Sequence, residues 1–488
     1  MDINKTIEEY VCSHAEQNPD KTAVITVQGR LTYSELFKKS VCYGAFLRNQ
    51  GIKKGDIIVT RASNTLDYPV LYLGVHLAGG IICSLEKSTP ASSMAEIAAS
   101  MGAALILADD VSASDTPIKV LPRTVMEDAD DAEYPGEVIF PKPADSADIL
   151  FTTGTTGASK GVELSHRALT ATAENLVFGC GYQEDMLLVV PGPLNHANAI
   201  RKLFTSLING NTVYILNGLT NVRSFFDALD EPFPAAACCL PPAMIRLLLT
   251  IAKDKLGEYK DRLLFIESAS APLPEPDRVR IAELLPNTKM IINYGSSESA
   301  SVTMYDCTAH PGLVNCIGKP MPNSEILIVD DDHHVIRSSK DLTGLIACRG
   351  PVNMERYVNA PELTKEVLAD GIVFTNDIGY MDDEGYVYTI GRKGDVINVG
   401  GLKVAPSEVE DAVLTHPEIK ECICIAKEDP ISGNVPALLY VADREIPPKE
   451  LSSYLAKRLE GFKVPKKYTR TDKINRTYNG KLDRKSYR

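Results

Sequence analysis

Several features are missing from this sequence, and each absence narrows the class of protein. The 488 residues include no tryptophan, and aromatic residues make up only 7%. The longest apolar stretch, at 71–85, is interrupted by His76 and falls short of the roughly 20 residues that a membrane-spanning helix needs. The amino terminus, MDINKTIEEY, has neither an apolar signal core nor a basic leader. We therefore expect a cytoplasmic protein without a membrane span.

Zinc-site spacing is also missing, although the chain has eleven cysteines. Cys238 and Cys239 are adjacent, Cys422 and Cys424 lie two apart, and no CxxC pair occurs. This usage predicts buried free thiols in a reducing compartment.

Positive charge is in deficit over the whole chain but in excess at its end. The 51 Lys and Arg residues against 64 Asp and Glu give a net charge of −13, which argues against wholesale nucleic-acid binding. Residues 463–488 nevertheless hold ten basic residues against Asp472 and Asp483. These charges either form a solvated face or meet a polyanionic small molecule.

The length and the periodicity of the chain predict several structural units. A single hydrophobic core stops growing near roughly 250–300 residues, so we expect at least two domains. Apolar runs that alternate with helical patterns predict parallel sheets, with strands at 22–27, 56–60, 104–108, 212–216, 263–267 and 289–292 and helices at 32–49 and 223–230.

After Gly344 the pattern changes to that of an antiparallel sheet. Strands are predicted at 344–348, 373–375 and 385–390. A small α+β region follows, with Ser407 as the N-cap of a helix, strands at 421–426 and 437–442, and a helix at 448–460.

The strongest local motif is Ile149-Leu-Phe-Thr-Thr-Gly-Thr-Thr-Gly-Ala-Ser-Lys-Gly161. A strand runs into a loop of glycine and hydroxyl residues that ends in Lys160, and such loops donate to phosphate oxygens. The spacing does not fit a Walker A loop. The alternative interpretation is a flexible surface loop without a ligand.

With this motif the sequence resembles the adenylate-forming superfamily, which includes acyl-CoA synthetases, adenylation domains of nonribosomal peptide synthetases, and luciferases. Further segments resemble the motifs of that family in the same order along the chain: Leu77-Ala-Gly-Gly80, Pro193-Leu-Asn-His196, Asn293-Tyr-Gly-Ser-Ser-Glu298, Arg349-Gly-Pro351 with Tyr357, Thr375-Asn-Asp377, Gly391-Arg392, Gly400-Gly-Leu-Lys403, Glu408-Val-Glu410, and Asn479-Gly-Lys481 with Arg484.

The resemblance implies an α/β fold in two domains. The large N-terminal domain, residues 1–393, would combine parallel-sheet α/β subdomains with a small β-barrel-like subdomain and bind ATP and the carboxylate. A small, mobile α+β domain, residues 394–488, would carry the catalytic lysine. The family turns this domain about a residue that is usually Asp or Lys and is Gly394 here; glycine permits large changes of backbone angle.

The resemblance also implies the chemistry: a carboxylate reacts with ATP to give an acyl-adenylate and pyrophosphate, and a thiol then takes the acyl group. The implied catalytic residues are Lys481, His196 and Glu298, and Glu298 and Thr155 would hold Mg²⁺. The residues implied to bind ATP or CoA are Thr152, Thr153, Gly154, Thr155, Thr156, Gly157, Lys160, Asn293, Tyr294, Gly295, Ser297, Asp377, Arg392 and Lys403.

Some of these roles have a simpler alternative. Lys481 could be one more lysine of a basic tail, and His196 could be a hydrogen-bonded core histidine. Other candidates for the carboxylate pocket are 268–272 and 299–303, and Asn195, where an aromatic residue is usual, makes the pocket more polar. Arg201 and Lys202 are expected to be surface charges, with binding of a second anionic group on the substrate as the alternative.

The acceptor of the acyl group is expected to be CoA. Lys403 resembles the CoA-ligase branch, His196 replaces an Asp that amino-acid-activating members usually carry, and no carrier domain follows Arg488. A carrier protein or an amine is the alternative acceptor. A non-catalytic nucleotide-binding protein is disfavoured, because Lys481 and Asp377 are present.

Overall fold

The computed structural model describes residues 1–123, 137–153, 159–219, 221–400, 402–429, 433–476 and 482–487, without the side chains of Thr152, Thr153 and Ser159. The α-helices are α1 (Ile7–Gln17), α2 (Tyr33–Asn49), α3 (Tyr68–Leu77), α4 (Ala91–Met101), α5 (His166–Cys180), α6 (Ala197–Asn209), α7 (Val222–Leu229), α8 (Pro242–Ile251), α9 (Glu275–Leu284), α10 (Pro361–Val367), α11 (Pro406–Leu414) and α12 (Pro448–Leu455); Lys255–Tyr259 and Arg484–Tyr487 are 3₁₀ turns. Within these ranges no helix is both long and apolar enough to cross a membrane.

The strands form three sheets. They are β1 (Thr22–Thr26), β2 (Gly29–Thr32), β3 (Ile57–Arg61), β4 (Ile81–Leu85), β5 (Leu105–Leu107), β6 (Lys119–Leu121), β7 (Ser146–Thr153), β8 (Ser159–Ser165), β9 (Met186–Val190), β10 (Thr212–Ile215), β11 (Ala235–Cys239), β12 (Leu263–Ser268), β13 (Lys289–Ser296), β14 (Ala300–Asp306), β15 (Cys316–Pro320), β16 (Glu325–Val329), β17 (Gly344–Arg349), β18 (Arg356–Tyr357), β19 (Leu368–Ala369), β20 (Ile372–Met381), β21 (Val387–Arg392), β22 (Ile397–Val399), β23 (Leu402–Val404), β24 (Glu421–Asp429), β25 (Gly433–Val441) and β26 (Lys467–Arg470).

The largest sheet changes direction at β13. Strands β1, β10, β9, β11, β12 and β13 are neighbours in that order and run parallel. From β13 the sheet continues antiparallel through β14, β15, β21, β20, β17 and β16. The second sheet, in the order β18-β8-β7-β4-β3-β5-β6, also has a parallel centre. The predicted α/β architecture with an added antiparallel, barrel-like part is confirmed.

Hydrophobic packing explains this layering. Buried residues of α1, α2, α3, α5 and α6 fill one core between the two large sheets. Helices α7, α8 and α9 cover the outer face of the first sheet, and α4 covers that of the second. Strands buried on both faces need apolar side chains throughout, which is why β9 reads Met-Leu-Leu-Val-Val.

The third sheet, β23-β22-β25-β24 with β26 beside β25, has a core of its own with α11 and α12. Its helices differ from the predictions at their ends. Ser407 is not the N-cap of α11: Ala405 is, because Pro406 takes the first helical position, where its missing N–H costs nothing. Helix α12 ends at Leu455 and not at residue 460.

The cysteines are free thiols, as their spacing predicts. All eleven are unbridged, and nine are buried.

Basic residues at the chain end are partly paired within the protein: Lys463 contacts Glu408 and Glu460 at 2.7 and 2.6 Å, and Arg476 contacts Glu421 at 3.5 Å. The exposed lysines of this stretch remain open to an anionic partner.

A fully buried charge network ties α1 and α3 to β7. Nδ1 of His76 lies 2.8 Å from Oε1 of Glu8, and Nε2 lies 3.2 Å from Oδ1 of Asp148. The Tyr72 hydroxyl donates to the other oxygen of Asp148 at 2.8 Å. Burial alone would lower the pKa of His76, but Glu8 and Asp148 raise it to about 9. Since both ring nitrogens face carboxylates, His76 has no lone pair left for a metal ion.

This network predicts loss of stability in mild alkali. The pKa of His76 is raised from 6.5 to about 9 on folding, so its contribution is complete below pH 6.5 and is lost as pH rises toward 9. We expect His76 to add a slope of up to about 1.4 kcal/mol per pH unit to the free energy of unfolding in that window. Denaturant unfolding at a series of pH values should show this slope in the native protein and lose it in His76→Gln. The exposed His334→Gln is the matched control, and equal slopes in all three proteins would contradict the assignment.

Candidate active site

The carboxyl end of β13 carries the motif Asn293-Tyr-Gly-Ser-Ser-Glu298 into a tight turn. Gly295 has no possible replacement, since a β-carbon there would collide with the carbonyl oxygen of Ala300. The Ser296 hydroxyl accepts from the backbone N–H groups of Glu298 and Ser299 at 3.1 and 3.0 Å. The turn therefore holds Glu298 in a fixed place relative to Tyr294.

Tyr294 lies against a carboxylate from the antiparallel part of the sheet. Its hydroxyl donates to Oδ2 of Asp377 at 2.7 Å, and Nε of Arg392 lies 3.6 Å from Oδ1. Asp377 and Arg392 are cross-strand partners on β20 and β21, which fixes their pairing by register. A carboxylate offers about four acceptor positions, so Asp377 can still accept from two hydroxyl groups of a ligand. The structure thus brings together three of the predicted residues.

Glu298 lies beside Tyr357 and Lys160. The Tyr357 hydroxyl donates to Oε1 of Glu298 at 2.6 Å, and Nζ of Lys160 lies 5.5 Å from the centre of the Tyr357 ring. Burial, and then Glu298, raises the pKa of Tyr357, so this hydroxyl stays a donor. Tyr357 links the carboxylate predicted to hold Mg²⁺ with the lysine at the end of the predicted phosphate loop.

Arg201 on α6 is buried, and its expected place on the surface is wrong. Its guanidinium donates to the carbonyl oxygens of Ser296 and Ser297 at 2.9 and 3.2 Å. Burial lowers the pKa of Arg201 to about 10, although Glu298 and Asp148 oppose the change, so it remains a cation at neutral pH. This residue therefore fixes the turn and adds positive charge behind it.

Lys202 is buried too, which corrects the same prediction. Its Nζ lies 3.1 Å from Oε1 of Glu267 on β12 and 3.2 Å from Oδ1 of Asn198. Burial alone would lower the pKa of Lys202, but Glu267 raises it above its ordinary value. Helix α6 is almost fully buried between the sheets, and each of these cations finds a specific partner there.

The remaining predicted residues lie on other elements or outside the described part of the chain. His196 is the half-buried N-cap residue of α6, and Lys403 on β23 donates to the Thr343 hydroxyl at 2.7 Å. Gly394 lies in the turn between β21 and β22. Outside the described residues, or with undescribed side chains, are Thr152, Thr153, Gly154, Thr155, Thr156, Gly157 and Lys481.

The segments that flank Lys481 are anchored. Arg476 and Leu482 form an antiparallel bridge. Nη2 of Arg484 donates to both oxygens of Glu410 on α11, each at 2.6 Å, and Glu410 also accepts from the N–H of Cys424. Two motifs that are far apart in sequence thus meet as one buried ion pair.

Sequence reasoning missed Arg201, Lys202 and Glu267 as a group. No sequence signal placed the two cations, since adjacent basic residues usually face solvent. Glu267 ends an apolar strand, and a lone acid at that position marks a place where strand ends meet a polar site.

Loss of Arg201 should destabilise the fold. In Arg201→Met the carbonyl groups of Ser296 and Ser297 lose a charged donor, and each such hydrogen bond contributes about 1.5–3 kcal/mol. We expect the free energy of unfolding, measured by denaturant titration, to fall by about 3 kcal/mol. The control Arg223→Met, at an 84% exposed side chain, should change it by less than about 0.5 kcal/mol. If both variants changed the free energy of unfolding equally, the contacts of Arg201 with the turn would not stabilise the fold, and this assignment would be wrong.

Comparison with known proteins identifies the family. The protein-family model described as AMP-binding enzyme matches residues 12–358, and the family model described as AMP-binding enzyme C-terminal domain matches residues 408–481. The 2-succinylbenzoate–CoA ligase of Bacillus licheniformis is 28% identical over 97% of this chain and 98% of its own length. 4-Coumarate-CoA ligase 1 of Narcissus pseudonarcissus is 25% identical over 99% of this chain and 93% of its own length. Bacitracin synthase 3 of Bacillus licheniformis is 27% identical over 99% of this chain, which spans only 8% of that relative.

Solved structures agree on the fold. ATP-bound MatB from Rhodopseudomonas palustris has a TM-score of 0.87 at 22% identity and covers 99% of both chains. O-succinylbenzoate CoA synthetase from Bacillus subtilis, in complex with its acyl-adenylate intermediate, has a TM-score of 0.85 at 23% identity and covers 99% of this chain and 98% of its own. The chain therefore belongs to the AMP-binding enzyme family of the adenylate-forming superfamily.

Proposed function

We propose that this chain is an ATP-dependent ligase that converts a carboxylic acid to its acyl-adenylate and then to a CoA thioester, with release of pyrophosphate and AMP. The observation that carries the proposal is the pair of carboxylates on either side of one turn: Asp377 is held by Tyr294 and Arg392, and Glu298 by Tyr357. The Asp377 carboxylate can accept hydrogen bonds from the two hydroxyls of a sugar diol, and the Glu298 carboxylate can bind a hard cation.

The nucleotide would lie along β13. Asp377 accepts from the two ribose hydroxyls, with Arg392 beside it to hold the carboxylate in place. Tyr294, whose own hydroxyl is engaged by Asp377, presents its ring to the adenine. The predicted phosphate contacts from residues 152–157 and Lys160 follow at the end of β7 and the start of β8.

Glu298 fits the role of a Mg²⁺ ligand. Among the described residues, Tyr357 donates to Oε1 of Glu298, which leaves Oε2 for a cation, and oxygen is the ligand type that Mg²⁺ prefers. The ion, when bound, neutralises charge on the phosphates. Arg201 behind the turn adds to that positive field and keeps Glu298 oriented through its backbone.

Lys481 completes the first half-reaction in this proposal. Its ammonium approaches the α-phosphate and the reacting carboxylate, where it stabilises the charge that develops in the transition state. The small domain, residues 394–488, carries it, and the ion pair of Arg484 with Glu410 positions its segment. Rotation of the small domain at Gly394, in the turn after β21, would move Lys481 away from the reacting groups. It would bring another face of the small domain, with Lys403, toward the acyl-adenylate and CoA.

A carrier protein is the second candidate for the acceptor. Relatives named as CoA ligases match this chain over nearly their whole length, which favours CoA. Bacitracin synthase 3 and tyrocidine synthase 1 also match 99% of the chain, and peptide synthetases of this superfamily load carrier proteins. By resemblance, His196 occupies the position at which amino-acid-activating members usually carry an aspartate, which favours the CoA branch.

Acid-dependent pyrophosphate release, measured over a panel of carboxylic acids with and without CoA, tests the proposal. We expect release with at least one acid, and formation of AMP and a thioester only when CoA is added. Release without any thioester would transfer the second step to a carrier protein or an amine. No acid-dependent release over aryl, short, medium and dicarboxylic acids would favour a non-catalytic nucleotide-binding protein.

Lys481→Ala should separate the two half-reactions. We expect acyl-adenylate formation to fall by about 10²–10³-fold, the size of effect seen when one donor to a developing charge is removed. Thioester formation from supplied acyl-adenylate should fall by less than about threefold, because a different face of the small domain serves that step. The control is Lys485→Ala, an exposed lysine of the same basic stretch. Equal losses in both steps would refute the assignment.

A further inference from the structure

Next to the proposed nucleotide residues lies a group of buried polar side chains. One of them, Asn293, is implied by the resemblance to bind ATP, but its Nδ2 donates to Glu267 and Ser301. We call Glu267, Ser268 and Asn293 the acceptor cluster, because their side-chain oxygens can accept hydrogen bonds; the name does not refer to the acceptor of the acyl group. Their residues are 0%, 1% and 6% exposed. Glu267 and Ser268 end β12, and Asn293 lies near the end of the adjacent parallel strand β13. In sheets of this kind ligands bind outside the carboxyl ends of the strands.

Each member of the acceptor cluster has one atom without a hydrogen-bond partner among the described residues: Oε2 of Glu267, Oγ of Ser268 and Oδ1 of Asn293. The Cys239 thiol also lies beside the Glu267 carboxylate, so Oγ of Ser268 and Oδ1 of Asn293 are the stronger indications. The opposite ends of two of them are firmly held, since Nδ2 of Asn293 donates to Oε1 of Glu267 at 2.7 Å and to the Ser301 hydroxyl at 3.0 Å. Buried polar atoms nearly always have partners, so unpartnered atoms on neighbouring buried residues indicate a missing ligand. Two of the three can only accept hydrogen bonds, and the hydroxyl can do either.

The charge of the cluster is already balanced. Lys202 contacts Glu267 at 3.1 Å inside the protein, so the positive charge of one side chain neutralises the negative charge of the other. A ligand with a second carboxylate would add an unpaired negative charge here, and a ligand ammonium would add an unpaired positive charge. Either would be costly in a buried site. A neutral hydroxyl group supplies the missing donor without disturbing the ion pair.

The cluster also lies next to the residues of the proposed reaction. Asn293 precedes Tyr294 in the chain, and Ser301, which holds Asn293, pairs with Gly295 across β13 and β14. On the other side Lys202 follows Arg201, whose guanidinium holds the turn that carries Glu298. An acid whose carboxylate faces the nucleotide therefore has its acyl part directed among these strand ends.

We propose that the acceptor cluster binds a hydroxyl group on the acyl part of the substrate, so that the preferred acids of this enzyme are neutral hydroxylated carboxylic acids. This inference rests on the proposed function, because it names the class of acid that the same site activates. The hydroxyl donates to Oε2 of Glu267 or Oδ1 of Asn293, and the Ser268 hydroxyl donates to the oxygen of the ligand. An acid without the hydroxyl leaves all of these atoms unpaired.

The test is acid-dependent exchange of pyrophosphate into ATP, which reports the first half-reaction without CoA. Acids are compared in matched pairs: butanoate with 3- and 4-hydroxybutanoate, and benzoate with 3- and 4-hydroxybenzoate. Butanedioate and 4-aminobutanoate provide the charged arms. We expect kcat/KM for at least one hydroxylated acid to exceed that of its parent by about tenfold or more, the worth of one well-placed hydrogen bond to a buried acceptor.

Two variants assign that preference to the cluster. Ser268→Ala removes one partner of the hydroxyl, and Glu267→Gln turns an acceptor into a donor. In each, the ratio of kcat/KM for the hydroxylated acid to that for its parent should fall at least about fivefold. The control Thr288→Val also removes a buried hydroxyl, but one that already donates to the carbonyl oxygen of Leu263 at 2.8 Å, and it should keep the native ratio. Should Glu267→Gln fail to fold without its charge, Ser268→Ala retains the test.

The outcomes separate the two proposals. Exchange that is equal or faster with the parent acids, or fastest with the dicarboxylate or the amino acid, overturns the hydroxyl assignment and leaves the ligase function in place. A hydroxyl preference that Ser268→Ala and Glu267→Gln leave unchanged places the hydroxyl elsewhere and also overturns it. Absence of exchange with every acid, while ATP binds, removes the proposed ligase function and this inference with it.

Discussion

A line of buried charges connects the first helix to the centre of the site. Glu8, His76 and Asp148 alternate in sign between α1, α3 and β7, and Asp148 and Glu298 both act on the buried cation Arg201. Each charge is acceptable inside the protein only because its neighbours have the opposite sign. Strand β7, which carries Asp148, and the turn that carries Glu298 are thus connected through one set of charges, and the proposed nucleotide residues lie around that turn.

The sequence predicted those parts of the site whose chemistry is written in short motifs. Tyr294, Asp377 and Arg392 are identified by resemblance, and the structure brings them together across β13, β20 and β21. Glu298, also identified by resemblance, lies in the turn after β13 and contacts Tyr357. Arg201 was assigned to the surface because charged residues are seldom buried, and nothing local to α6 shows that two sheets enclose it. Its partners are backbone carbonyl groups about a hundred residues away, a contact that only the tertiary fold creates.

The carboxyl-terminal region shows the same limit on a smaller scale. Its strands followed from apolar alternation, whereas the start of α11 was misplaced because Ser407 is a good cap and Pro406 is a better first residue. The pairing of Glu410 with Arg484 joins two motifs that resemblance had named separately. It gives Glu410 a structural reason to be present, because it anchors Arg484 in the described residues 482–487.

The proposed nucleotide site and the acceptor cluster are built from different strand ends, and this separation affects which substitutions would alter the choice of acid. The proposed nucleotide contacts come from the end of β13 and from β20 and β21, while the acceptor cluster lies at the end of β12 and at Asn293, beside Lys202 of α6. A side chain at Gly295 would collide with the carbonyl oxygen of Ala300, whereas the Ser268 hydroxyl has no hydrogen bond among the described residues that a substitution would break. Under the two proposals, point changes at the end of β12 would alter the range of acids and leave the nucleotide site unchanged, so that this sheet would be a scaffold for divergence in substrate.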